Sequence, residues 1–73
     1  SVRLAPKVLQ TLLVLDERAG HVVTKDEMMA LVWPGTFVEE TGLTRNISLL
    51  RTALGDEGCR VVVTVPRIGY RLA

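Results

Sequence analysis

Thr41-Gly42-Leu43-Thr44-Arg45-Asn46-Ile47-Ser48-Leu49-Leu50-Arg51-Thr52-Ala53-Leu54-Gly55 is the stretch on which the fold turns. Leu43, Ile47, Leu50 and Leu54 recur at i, i+4, i+7 and i+11, the spacing of one buried helical face. At 100° per residue the opposite face carries Thr41, Arg45, Ser48, Leu49 and Thr52, with Thr44 and Arg51 at its borders. Solvated helix faces are usually rich in glutamate and lysine, and residues 41–54 contain neither. The spacing therefore predicts a helix from about Thr41 to Leu54, closed by Gly55, with a polar face suited to something other than water.

Upstream, Thr24-Lys25-Asp26-Glu27 has the form of a capping box, a threonine N-cap with glutamate three residues on, and Val23 and Met28 stand where a hydrophobic staple would place them. A helix should run from Lys25 to about Trp33, where Pro34 disfavours helical geometry in the residue before it. Pro34-Gly35 is a turn. Thr36–Glu39 repeats the capping-box form but is short, and reads as a loop holding at most one helical turn. Further back, Pro6 to about Ala19 reads as a helix, since proline costs nothing at the first position. Val8, Leu9, Leu12, Leu13, Val14 and Leu15 exceed the single stripe of a surface helix, so a second cover is expected over it. Gly20–Val23 is a tight connection with a short strand at Val22-Val23.

Downstream, Asp56–Cys59 reads as a polar loop and Arg60–Val65 as a strand, being β-branched throughout its middle. Pro66-Arg67-Ile68-Gly69 is a turn and Tyr70-Arg71-Leu72 returns, giving a hairpin with Arg67 near its tip. The order helix, helix, turn, helix, hairpin is that of an α+β winged helix-turn-helix in one domain, residues 1–73.

Composition narrows the classes of function. A chain of 73 residues is one domain, 48% hydrophobic and 23% charged, which is ordinary globular material. One cysteine and one histidine exclude an internal disulfide and a conventional four-ligand zinc site. No run approaches the roughly 20 apolar residues of a membrane span, and a cytoplasmic location is expected. The net charge of +1 conceals a polarity. Residues 1–40 hold four bases and six acids, a balance of −2, whereas residues 41–73 hold five bases and two acids, a balance of +3. All five of those bases are arginines, whose planar fork suits phosphates and base edges. No paired carboxylate, nucleophile–base pair or metal-ligand cluster is spaced for catalysis, so no enzyme, cofactor or small-molecule substrate is expected.

On the outward face Arg45 suits direct readout, because arginine can bond guanine O6 and N7 together. Thr44 and Ser48 suit bases or phosphates alike. Asn46 lies on the flank, where adenine or a phosphate is open to it. Leu49 suits a thymine methyl, a neighbouring protein, or plain exposure. Arg67 at the hairpin tip suits a narrow minor groove, a phosphate or solvent. Trp33 suits a core anchor whose indole N–H could also meet a phosphate. The competing class is a winged-helix module that binds protein through Leu49 and the loop Pro34–Glu40.

With these residues in view, the chain resembles the OmpR/PhoB-type winged-helix DNA-binding domains of bacterial transcriptional regulators. The resemblance lies in Gly20–Glu27, Val32-Trp33-Pro34-Gly35, Leu43–Gly55 and Val63–Leu72, and covers nearly the whole chain in the family's order. The wording of Trp33–Glu40 is similar to the branch of membrane-linked regulators akin to the acid-stress activator CadC. The resemblance implies a third helix in the major groove of double-stranded DNA and a wing at the adjacent minor groove. It implies phosphate or flanking contacts from Trp33, Thr41, Asn46, Arg51, Thr52, Thr64 and Tyr70. It also implies tandem binding of two copies to direct repeats, with protein contacts, RNA polymerase among them, through Pro34–Glu40.

The chain departs from the family's pattern in four places. Ala5 stands where the first helix usually has a threonine cap. Pro66-Arg67 stands where many members have Arg-Gly. Leu49 replaces a base-reading arginine seen in some members. Of the family's N-terminal antiparallel sheet only Ser1-Val2-Arg3 could remain, so a fragment of a longer regulator is expected, its first helix left half covered.

Overall fold

The structure, a computed structural model, describes residues 4–73. Helix α1 (Pro6–Glu17) starts on its proline with Ala5 as a cap that offers no side-chain bond. Strand β1 (Val23–Thr24) follows, one residue later than expected, and leads into helix α2 (Lys25–Val32). The capping box forms as its sequence predicts. Glu27 N donates to Thr24 Oγ1 at 3.2 Å, and Thr24 N donates to Glu27 Oε1 at 3.2 Å. Val23 and Met28, the two halves of the staple, are both fully buried. After the Pro34 turn the chain stays irregular until helix α3 (Glu40–Ala53).

The segment after α3 departs from expectation. Residues 56–59 are not a loop: a 3-10 turn (Gly55–Glu57) runs into a short helix α4 (Gly58–Val61). The strand expected from Arg60 therefore begins at Val62, as β2 (Val62–Val65). The cause lies in packing. Gly58 presses so closely on α3 that a Cβ there would stand 2.1 Å from the Arg51 carbonyl oxygen. That approach holds residues 58–61 in helix although Val61 alone favours strand.

Strand β3 (Gly69–Leu72) completes an antiparallel sheet in the order β1-β3-β2. Val23 pairs with Tyr70, and Val62, Val63, Thr64 and Val65 pair with Leu72, Arg71, Tyr70 and Gly69. Gly69 is forced by β1: a Cβ there would lie 2.0 Å from the Val23 carbonyl oxygen. The hairpin is thus not free-standing, because β3 is pinned between β1 and β2.

One core joins these layers: Val8 and Leu15 of α1, Met28 of α2, Leu43, Ile47 and Leu50 of α3, and Val62, Tyr70 and Leu72 of the hairpin. The second apolar face of α1 is open. Leu9 is 43% exposed and Leu13 50%, and no described residue covers them. The suggested remnant of a sheet at Ser1–Arg3 lies outside the described residues. No helix among the described residues is long and apolar enough to cross a membrane.

Candidate nucleic-acid interface

Helix α3 is the element on which the surface is built. Its 14 residues make a rod about 21 Å long. Leu43, Ile47 and Leu50 seat one side in the core. Thr41, Thr44, Arg45, Ser48 and Thr52 are exposed on the other. Among the described residues Arg45 makes no hydrogen bond or ion pair, so its five donors are free for a ligand. Thr44 Oγ1 donates to Glu40 O at 3.1 Å, leaving its lone pairs open. At the start of α3, Glu40 pairs with Lys25 at the start of α2. The Glu40 carboxylate beside it raises the Lys25 ammonium above its usual value, and Glu40 sits favourably in the first turn of its helix.

Asn46 leaves the expected set of flank contacts. It is 7% exposed, and its Nδ2 donates to Lys7 O at 2.9 Å and to Thr11 Oγ1 at 2.6 Å. Thr11 Oγ1 in turn donates to Lys7 O at 2.8 Å. The side chain thus fixes α3 against α1 and is turned away from the surface. Spacing alone puts it on the flank, because the period of the third helix does not reveal α1 beside it. A signal was present in Thr11, a hydroxyl on the buried face of α1 between Val8 and Leu15, which must find a partner.

Arg51 is also engaged within the domain. Its Nε and Nη2 donate to Val62 O at 3.1 and 2.7 Å, and Nη2 donates to Thr64 Oγ1 at 2.7 Å. The helix border that sequence spacing offers to a phosphate is, in the fold, the seam between α3 and the hairpin. Thr64 is exposed beside it. Tyr70, expected to touch phosphate, is a core residue only 5% exposed, and its ring serves packing. Trp33 is half-buried and packs against the core, as an anchor would. Leu49 is exposed on the α1 side of α3, bordering a shallow hollow with Leu4, Ala5, Val8 and Ala53.

The hairpin tip has its own geometry. Ile68 N donates to Val65 O at 3.0 Å, closing a four-residue turn. Pro66 fixes its second position near φ of about −65°, and Arg67 takes the third with φ of +66°. That is a type II turn, whose third position normally goes to glycine. The arginine is exposed at the apex. Between α2 and α3, Phe37 is 90% exposed, at the edge of an open depression lined by Met29, Ala30, Trp33, Pro34 and Val38. The described residues hold no cluster of three or more His, Cys, Asp or Glu able to bind a metal ion.

Comparison with known proteins gives this arrangement a context. Residues 1–72 match the family model described as "Transcriptional regulatory protein, C terminal". The chain is 40% identical over 75 residues to the cholera toxin homolog transcriptional activator of Vibrio parahaemolyticus, covering 97% of this chain and 26% of that protein. It is 35% identical over 72 residues to the transcriptional activator CadC of Escherichia coli, covering 94% of this chain and 14% of that protein. The chain thus spans a small part of the length of these relatives. Among solved structures, the DNA-binding domain of E. coli CadC superposes with a TM-score of 0.89 at 32% identity, covering 99% of this chain and 70% of that one.

Proposed function

The chain belongs to the family of transcriptional regulatory protein C-terminal domains, the OmpR/PhoB-type winged helices, and from that membership we propose that it binds double-stranded DNA sequence-specifically, with α3 in the major groove and the hairpin at the adjacent minor groove. A regulator of this family acts by binding rather than by catalysis. The observation that carries the reading is the outward face of α3: Thr41, Thr44, Arg45, Ser48 and Thr52, all exposed, with an unengaged arginine at the centre. A major groove about 12 Å wide admits such a helix. Arg45 reads bases, Thr44 and Ser48 support it, and Thr41, Thr52, Thr64 and the indole N–H of Trp33 supply phosphate or flanking bonds. Arg67 enters the minor groove, where a narrow A·T stretch attracts an arginine. Such work requires the domain to lie where the chromosome is, on the cytoplasmic side of any membrane that a longer regulator spans.

Two copies bind direct repeats, and the loop Pro34–Glu40 supplies protein contacts, RNA polymerase among them. Phe37 is the observation behind the last part, since a large apolar side chain so fully exposed is suited to a protein partner. It also favours a second reading, in which the domain is chiefly a protein-binding module.

Selection of bound duplexes from random DNA, read at two salt concentrations, tests the first reading against the second. Phosphate-driven binding weakens steeply with salt; an apolar contact does not. On the selected sequence Arg45→Ala should cost about 1–3 kcal/mol while barely changing affinity for random DNA. Equal losses on both would remove Arg45 from base readout, and a selection without an enriched sequence would sink the reading.

A further inference from the structure

We propose that Arg51 is a positioning residue that sets the angle of the hairpin to α3, so that the contact made by Arg67 depends on it. This rests on the reading that the hairpin meets DNA. Three hydrogen bonds run from one guanidinium in the last turn of α3 to the backbone of Val62 and the hydroxyl of Thr64 in β2. β2 is the outer strand of the sheet, its other side paired with β3. An outer strand presents carbonyls with no strand to receive them, and Arg51 takes the one at Val62. Val62 itself is fully buried, so this anchor on the β2 side is fixed. On the β3 side Gly69 pairs with Thr24, and Lys25 N donates to Ile68 O at 3.1 Å. The hairpin is thus held from both sides, and Arg51 supplies the hold on β2.

The chemistry favours arginine for this task. The guanidinium is a rigid planar fork, and two of its nitrogens converge on one carbonyl oxygen, which fixes direction as well as distance. A lysine would keep the charge and lose the fork. The lever is long enough to matter. Arg67 lies three residues beyond Thr64, about 10 Å along an extended strand. With β3 held by β1, loosening of β2 by about 10° at the anchor would shift the β2 end of the tip by about 2 Å, more than a hydrogen bond tolerates. Arg51 thereby ties the two DNA-reading elements into one unit, helix for the major groove and hairpin for the minor.

The family resemblance implies a different role, a direct phosphate contact, and the two roles separate by experiment. Arg51→Lys and Arg51→Met are made in the full chain and compared with the wild type on the selected duplex. Two duplex variants accompany it, one altered in the segment under α3 and one with A·T replaced by G·C under the hairpin. The wild type should discriminate at each segment by about fivefold or more. Both variants should lose discrimination under the hairpin and retain it under α3, and adding Arg67→Ala to either should change nothing more. In the DNA-free protein, amide exchange at Ile68 should rise severalfold in both while that of Leu43 and Leu50 holds.

A phosphate role predicts otherwise: uniform weakening on all sequences, a salt slope reduced by about one, rescue by lysine, and unchanged exchange at Ile68. That pattern would overturn the proposal. Unfolding of both variants would overturn it too, because the bonds would then hold the domain together rather than aim its hairpin. A wild type with no preference under the hairpin would instead refute the functional reading, and the exchange measurement would still judge Arg51.

Discussion

Arg67 holds a backbone conformation that costs a non-glycine residue of order 1–3 kcal/mol, at the apex of a turn where glycine would carry no such penalty. Strain of this kind persists where a side chain is wanted at that point. Arg67→Gly should therefore stabilise the fold by about 1 kcal/mol once the freedom glycine adds to the unfolded chain is allowed for, raising the melting temperature by about 4–8 °C for a domain of this size. The same change should weaken DNA binding. Arg67→Ala is the control, since alanine keeps the strain and loses the guanidinium, so it should bind as poorly without the gain in melting temperature. Undiminished affinity in Arg67→Gly would show that the strained arginine has no role on DNA. Asn46 makes the opposite case. Its Nδ2 serves Lys7 O and Thr11 Oγ1 inside the protein, and Asn46→Ala leaves both without that donor. A loss of about 1–3 kcal/mol in stability is expected, with DNA affinity per folded molecule unchanged; thermal unfolding alongside binding separates the two effects.

At the level of elements, α2 is held by its N-terminus. Thr24→Ala should cost about 1 kcal/mol by removing the acceptor for Glu27 N. The backbone and hydroxyl of Thr24, and then Arg18, hold the Glu27 carboxyl below its usual value. A carboxyl lowered in the folded state contributes stability that is present above its unfolded value. That stability is lost as the pH falls through the folded value, below about pH 4.3. Glu27→Gln keeps the form of the cap but cannot titrate, so its stability should fall less steeply below that pH. Identical acid limbs in wild type and Glu27→Gln would remove Glu27 from the acid response. The cap was legible in the sequence because both its partners lie three residues apart, as were Leu43, Ile47 and Leu50 of the inner stripe of α3, which depend only on helical period. Leu54, expected to continue the stripe, caps the helix end and is exposed. What the sequence did not disclose depends on distant partners. Asn46 finds Lys7 39 positions away, Arg51 finds Val62 across a chain reversal, and α4 exists because Gly58 meets the Arg51 backbone. For the same reason the outward face of α3 could be assigned from spacing, while which of its border residues remain free could not.

The chain combines an acidic first part with a second part whose bases are all arginines, and on the proposed reading a single copy offers few cations to phosphates. If about two or three phosphates are neutralised per copy, the logarithm of affinity should fall against the logarithm of salt with a slope of about −2 to −3 for one copy and twice that for a pair. A pair is also what the dimensions permit. The principal extents are 31 × 23 × 21 Å, and one turn of DNA advances about 34–36 Å. Two copies can therefore lie side by side on one face of the duplex, a turn apart, without overlap and near enough to touch. The exposed Phe37, standing clear of the core in the loop before α3, is suited to such a contact or to a third protein. Inserting about five base pairs between the selected repeats rotates the second site to the opposite face. Binding of the second copy should then become independent of the first, and the salt slope of the assembly should split into two single-copy slopes. Inserting about ten should return both copies to one face, too far apart to touch, so cooperativity should stay lost while each half-site remains occupied. Cooperativity that survived both insertions would mean that the copies communicate through the DNA or through a tether rather than by direct contact.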